Sequence, residues 1–215
     1  MKRNWQLDTD KLIDELGGER KRLLLQCCCG PCSSYVLEYL TKYFYVTVLF
    51  YNPNIQPEAE YEKRRFCMER VAERYPESVS VLDCGYDGNA FSSAVRGLEG
   101  EPEGGARCVK CIELRLCETA KLAKAGGFDY FCTTLSVSPH KNEQIINETG
   151  LALERQFGVK WLVSDFKKRD GYKRSIELSG EYGLYRQSYC GCLFSLNGQE
   201  KADKTLHEKS ERNFE

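Results

Sequence analysis

The apolar run Leu23-Leu24-Leu25 stops at Gln26-Cys27, and from Ser33 to Leu40 apolar residues return at three- and four-residue spacing. That change of period predicts a strand, a tight loop and a helix. Tyr45 to Tyr51 is rich in β-branched and aromatic residues and ends at the turn signal Asn52-Pro53-Asn54, ahead of a charged helical stretch from Pro57 to Arg74. Val79 to Leu82 predicts a weaker strand, Asn89 to Arg96 a short helix, and Gly97 to Ala106 an exposed, mobile loop carrying Glu99, Glu101 and Glu103. Arg107 to Ala125 repeats apolar positions in helical period and stops at Gly126-Gly127. Tyr130 to Leu135 and Lys160 to Ser164 read as strands flanking a helix from Asn142 to Phe157. Strands alternating with helices predict a single α/β domain with a mainly parallel sheet and flanking helices. It is expected to span residues 1–215, with 1–22 as a helical N-terminal extension and 197–215 as a charged C-terminal tail, both accessory.

In such sheets ligands bind beyond the carboxyl ends of the strands. The loops Cys27 to Cys32, Tyr51 to Asn54, Ser136 to His140 and Asp165 to Arg174 are therefore expected to converge on one edge.

Composition sharpens this picture through sulfur. Twelve of 215 residues are cysteine, while Lys+Arg 31 and Asp+Glu 32 leave a net charge of -1. Met1 to Arg22 alternates charged and apolar residues with no apolar core for a signal peptide. The longest nearly apolar run, Tyr43 to Tyr51, is far short of the about 20 residues that span a membrane. A cytoplasmic protein without membrane contact is expected, and there thiols stay reduced and clustered cysteines bind metal or do redox chemistry. His140 and His207 are the only histidines, so a metal site must be built mainly from thiolates, which select iron–sulfur clusters or zinc.

The cysteines sort by spacing. Cys27-Cys28-Cys29-Gly30-Pro31-Cys32 sits in the first loop, where Gly30 would permit unusual backbone angles and Pro31 would start the helix. Cys108 and Cys111 share one face at a helix N-terminus, and Cys190-Gly191-Cys192 forms a third pair. Cys28/Cys29 with Cys108/Cys111 make a four-thiolate set, for which spacing alone leaves zinc and an iron–sulfur cluster equally open. Cys32, Cys190 and Cys192 exceed what a structural zinc needs, which favours electron transfer. Cys67, Cys84, Cys117 and Cys132 stand alone and read as packing residues. Cys27 adjoins the site, but its side chain should point away from Cys28. A rival reading takes Cys29-Gly30-Pro31-Cys32 as a thioredoxin-like dithiol, with Cys29 a low-pKa nucleophile and Cys32 resolving. No tryptophan precedes it, and the other pairs would be left without a role. A zinc-stabilised RNA-binding module without redox activity is the other rival.

From Leu23 to Ser195 the chain resembles the cobalamin-independent epoxyqueuosine reductase family, QueH. The strings that carry the resemblance are Cys28-Cys29-Gly30-Pro31-Cys32, Tyr51-Asn52-Pro53-Asn54-Ile55 and Glu103-Gly104-Gly105-Ala106-Arg107-Cys108-Val109-Lys110-Cys111. They continue through Thr134-Leu135-Ser136-Val137-Ser138-Pro139-His140-Lys141, Asp165-Phe166-Lys167-Lys168 with Asp170-Gly171-Tyr172, and Tyr185-Arg186-Gln187-Ser188-Tyr189-Cys190-Gly191-Cys192. Gln26 stands where many relatives are expected to have histidine, and Cys27 where a small residue is usual. The resemblance implies reduction of the epoxide of epoxyqueuosine, at the wobble position of tRNA, to the alkene of queuosine, without cobalamin and with an external electron donor. It implies a [4Fe-4S] cluster on Cys28, Cys29, Cys108 and Cys111, and a redox-active pair at Cys190 and Cys192. It also implies an adjacent mononuclear iron, for which Cys32 with Cys190, Cys192 or a nearby aspartate would supply ligands. By fold analogy the layout is similar to the HUP or PP-loop group, although no glycine-rich phosphate loop is present.

Epoxide-to-alkene reduction consumes two electrons and two protons and releases water, which is cofactor chemistry. An iron with an open position could bind the epoxide oxygen as a Lewis acid while the cluster passes electrons singly. Tyr189, His140 and Asp165 are the candidate proton donors. For tRNA, the near-zero net charge requires local recognition. Lys167 and Lys168 in the basic stretch Lys160 to Arg174, Arg186, and a second stripe of Arg64, Arg65, Arg70 and Arg74 are the expected cationic contacts. Tyr51, Asn52 and Asn54 would receive an unstacked base.

Overall fold

The computed structural model describes residues 3–198; the charged tail from residue 199 lies outside the described residues. Five strands, β1 (Lys21–Gln26), β2 (Phe44–Leu49), β3 (Val79–Leu82), β4 (Tyr130–Thr133) and β5 (Lys160–Trp161), form one all-parallel sheet in the order β3-β2-β1-β4-β5. The helices are α1 (Trp5–Glu15), α2 (Gly30–Leu40), α3 (Glu58–Ala72), α4 (Gly88–Ala94), α5 (Ala106–Ala125), α6 (Glu143–Phe157) and α7 (Gly171–Glu181). Right-handed crossovers with this strand order place helices on both sheet faces. α2 packs on α3 and α7, and α5 packs on α6. The central strand β1 is therefore covered twice, which is why Leu23, Leu24 and Leu25 form a continuous apolar run with no exposed surface.

Strand order reverses between β1 and β4, so their carboxyl ends diverge into loops on opposite faces and leave a crevice. The cysteine loop follows β1 and a 3-10 turn, Thr134–Val137, follows β4. The two are stitched together where the Cys28 N–H donates to Thr134 Oγ1 at 3.3 Å.

Three elements differ from the sequence expectation. β4 ends at Thr133 because the Thr133 hydroxyl accepts from the Leu135 N–H and starts the 3-10 turn. β5 stops at Trp161 because the Asn147 side chain takes both the N–H and the C=O of Ser164, at 3.0 and 2.9 Å, in place of a strand partner. α7 begins inside the stretch read as a loop, after Arg169 and Asp170 turn the chain with φ of 52° and 59°. The N-terminal extension also joins the core: Trp5 is buried and Thr9 Oγ1 donates to Val163 O at 2.7 Å. The glutamate-rich loop is exposed but tied down, because the buried Arg107 donates to the carbonyls of Leu98, Glu99 and Glu101.

Gly30 serves a steric role and not the conformational one expected, since its φ is not positive. A Cβ there would lie 2.5 Å from Cys67 Sγ and 2.8 Å from Cys67 O. Cys67 is thus the floor under the cysteine loop. Gly30→Ala is expected to cost about 1 to 3 kcal/mol by overpacking, read as a lowered thermal midpoint. Pairing it with Cys67→Ala should recover only part of the loss, because the backbone oxygen remains.

Candidate metal centre and substrate cavity

α2 begins at the cysteine loop because the loop itself caps it. Cys29 Sγ accepts the Cys32 N–H at 3.4 Å, Pro31 occupies the first turn, and Ser33 Oγ returns to Cys29 O at 2.7 Å. This holds the sulfurs of Cys28, Cys29 and Cys32 within 4.8 Å of one another, the only such trio of metal-ligating atoms among the described residues. The Cys28 and Cys29 sulfurs are 3.8 Å apart. Hydrogen bonds from Cys29 and Cys32, helped by Thr134 and Arg115, hold the Cys28 thiol well below its ordinary pKa. The same contacts with Cys28 push Cys29 and Cys32 up.

A second set of thiols comes from α5 and the C-terminal segment. Cys108, Cys111, Cys190 and Cys192 line a cavity of about 20 Å³. Gly104 N–H donates to Cys108 Sγ at 3.2 Å, and burial pushes the Cys111 thiol up to about 11. Cys190 also faces a larger cavity of about 530 Å³ with Cys28 and Cys32. This is the crevice at the sheet's reversal point, and its size suits a small ligand or a single extruded nucleoside. A cleft of about 610 Å³ adjoins it and shares Glu103, Tyr189 and Ser195, but carries no thiol.

Arg115 and Lys141 line both thiol-bearing cavities. Arg115 is 3% exposed, and its Nε donates to Cys111 O at 3.3 Å. It interacts electrostatically with Cys111, Cys190 and Cys28, and among the described residues no carboxylate lies within 4.0 Å of it. Lys141 Nζ donates to Cys190 Sγ at 3.1 Å and stands 3.7 Å from Glu103. Burial opposes the charge on Lys141, but Cys190 more than offsets it and raises the ammonium pKa. Gln187 Nε2 donates to Cys29 Sγ at 3.0 Å, while its buried Oε1 and that of Asn54, Oδ1, have no partner. Soft sulfur donors on two sides, a buried guanidinium without a matching carboxylate, an ammonium on a thiol and N–H groups aimed at sulfur fit a thiolate-bound, negatively charged iron–sulfur group.

The family model described as Epoxyqueuosine reductase QueH matches residues 23–198. The chain belongs to this QueH family. It is 41% identical over 209 residues to an epoxyqueuosine reductase QueH of Streptococcus pyogenes serotype M1, covering 93% of this chain and 82% of that one. It is 41% identical over 209 residues to the Staphylococcus epidermidis QueH, covering 92% and 88%. The Thermotoga maritima QueH is 39% identical over 178 residues, covering 81% and 90%. The U34-tRNA thiolase NcsA from Methanococcus maripaludis, with its [4Fe-4S] cluster, superposes at TM-score 0.48 with 12% identity over 94% of this chain and 73% of that one, a likeness too slight to carry an argument.

The residues expected from the QueH resemblance separate by position. His140, Arg186 and Tyr189 line the large cavity. The Tyr189 hydroxyl donates to Gln56 O at 2.8 Å, so it is already engaged. Asp165 is buried, paired with Lys167 Nζ at 2.8 Å and absent from the cavity wall. Asn52 is buried and satisfied, donating to Cys27 O at 2.7 Å and accepting from Gln26 Nε2 at 3.0 Å. Tyr51 lines neither thiol-bearing cavity, and burial pushes its pKa up to about 12. Asn54 alone of that loop reaches a thiol cavity. Lys167 is held between Glu143 at 2.9 Å and Asp165, whereas Lys168 is exposed. Gln26 ties three strand ends, accepting from Thr133 Oγ1 at 2.7 Å and donating to Tyr51 O at 3.0 Å.

The structure also reassigns residues that spacing missed. Arg64, read as part of a basic stripe, is 2% exposed, bonds Glu60 at 2.7 Å, and donates to Cys190 O and Tyr189 O at 3.1 and 3.2 Å. It clamps the C-terminal cysteine segment to α3. Arg65 is spent on Glu62 and Glu69. The thioredoxin-like rival is disfavoured, because its nucleophile Cys29 is 1% exposed.

Proposed function

We propose that this chain reduces the epoxide of epoxyqueuosine in tRNA to the alkene of queuosine, as its QueH relatives are named for doing. The supporting observation is the cavity of about 530 Å³ at the strand-order reversal, walled by Cys28, Cys32 and Cys190 with Arg115 and Lys141 beside them. Cys28, Cys29, Cys108 and Cys111 would hold a [4Fe-4S] cluster. When bound, that group supplies single electrons at low potential. Cys32 and Cys190, which face the cavity, are the thiols that would hold an adjacent iron; no aspartate lines the cavity among the described residues.

The reaction breaks both C–O bonds of the epoxide, consumes two electrons from an external donor and two protons, and releases water. The chain's own residues orient the nucleoside against the thiol wall, with the Tyr189 ring and His140 at its side. Tyr172 and Leu135 complete the cavity wall. His140, exposed and lining the cavity, is the residue to which we assign proton delivery. Cys192 packs with Phe91, Val95 and Cys111 and lines the small cavity together with Cys190 but not the large one, and we infer that turnover proceeds without a dithiol step at Cys190/Cys192. Cys192→Ser is expected to retain turnover with a chemical one-electron reductant; complete loss with the cluster intact would establish an obligatory dithiol step.

tRNA docking falls to exposed cations near the mouth. Arg186 and Lys168 are exposed and have no carboxylate within 4.0 Å among the described residues, whereas Lys167 is committed internally. Arg186→Ala and Lys168→Ala should each flatten the salt dependence of tRNA binding by about 0.7 per lost contact, and Lys167→Ala should leave that slope unchanged. The reading itself is tested by incubating the anaerobically prepared, iron-loaded protein with epoxyqueuosine-containing tRNA and a one-electron reductant, then analysing nucleosides. Queuosine is expected; loaded protein that makes none overturns the assignment. No described helix is long and apolar enough to cross a membrane.

A further inference from the structure

We propose that Arg115 and Lys141 are positioning residues that set the reduction potential of the thiolate-bound centre, acting as its buried counter-charge. The proposal rests on the iron–sulfur reading above and concerns this chain's own side chains.

Arg115 projects from α5 one helical turn beyond Cys111 and lines both thiol-bearing cavities. Its charge acts on Cys28 from the cysteine loop as well as on Cys111 and Cys190, so it lies within electrostatic reach of thiols from each part of the site. A buried guanidinium is ordinarily matched by a carboxylate. Here thiols from three segments surround it instead. Lys141 repeats the arrangement from the loop after β4: its side chain is 13% exposed and its Nζ donates to Cys190 Sγ at 3.1 Å. Its nearest carboxylate, Glu103 at 3.7 Å, is half exposed and also accepts from Ser195 Oγ. Arg107, a third cation on the smaller cavity, spends its hydrogen bonds on backbone carbonyls instead.

Each electron accepted by a thiolate-bound cluster adds one negative charge. A fixed buried cation stabilises the reduced form more than the oxidised form and raises the potential. Loss of either cation therefore makes reduction harder, while replacing one cation by another conserves the effect.

The test compares Arg115→Gln, Arg115→Lys and Lys141→Gln with the parent, all anaerobically loaded, by redox titration followed in the visible spectrum and by electron paramagnetic resonance. At the parent's midpoint, Arg115→Gln and Lys141→Gln should each show a reduced-to-oxidised ratio about tenfold lower, a downward shift of about 59 mV for one electron. Arg115→Lys should stay within about threefold of the parent. A parent-like midpoint in a neutral variant that holds its full iron and sulfide overturns the proposal. If Arg115→Gln does not fold, Lys141→Gln decides alone, since its side chain borders the open cavity. A parent that binds no cluster refutes the underlying functional reading; a loaded parent with unmoved variants refutes only this one.

Discussion

Cys29→Ser is expected to abolish turnover while leaving the fold intact. Cys29 has two roles that this substitution separates. Its sulfur caps α2 by accepting the Cys32 N–H at 3.4 Å, and serine is among the best residues for that position. The helix, and the core it buries through Val36, Leu37 and Leu40, should survive. The soft sulfur donor does not survive, and a hydroxyl is a poor substitute for thiolate toward iron. Residues that merely orient metal ligands change affinity or activity by about 10- to 100-fold, so loss of a ligand should exceed about a hundredfold. Circular dichroism and thermal midpoint check the first half, and nucleoside turnover and bound iron the second. Parent-like iron and turnover in Cys29→Ser would remove Cys29 from the centre.

The second large effect falls on stability, at Arg64. Its guanidinium is buried against Glu60 and forks onto the carbonyls of Tyr189 and Cys190, with the Tyr189 ring centroid 4.9 Å away. Arg64→Ala leaves a largely buried carboxylate and two carbonyls without their donor, a change that costs about 3 to 5 kcal/mol in comparable buried pairs. Glu60 keeps the Tyr185 hydroxyl, at 3.1 Å, which should limit the loss toward the lower end of that range. Arg64→Lys restores charge without the planar fork and should recover only part. Hydrogen exchange localises the effect: protection should fall first between residues 185 and 192, the segment that carries Cys190 to the cavity. Unchanged exchange there would mean that Arg64 is not the clamp.

The parallel α/β arrangement was legible because strands buried on both faces, such as Leu23 to Leu25, are apolar without alternation while the helices keep their period. The position of the site was legible for the same reason, since the loop after β1 holds the cysteines and topology puts the ligand crevice there. α7 was hidden by its start, where Arg169 and Asp170 adopt positive φ that the residues themselves do not announce. Charge was the least legible property. Lys167 and Arg64 look alike as members of basic stretches, yet one is bound to Glu143 and Asp165 and the other to Glu60 and two backbone carbonyls. The charge roles of Arg115 and Lys141 are not legible, because an isolated cation in a helix or loop carries no signal until a fold surrounds it with sulfur. Asn52, expected as a base contact, is instead buried and bonded to the backbone for the converse reason: a polar side chain in a turn serves the backbone as readily as a ligand.

Quantitative iron, sulfide and zinc analysis of the anaerobically purified chain tests the central claim most directly. The account predicts about four sulfides and at least about four irons per chain, with the broad visible absorption of an iron–sulfur cluster. Stoichiometric zinc without visible absorption, or thiols with no bound metal, would contradict it.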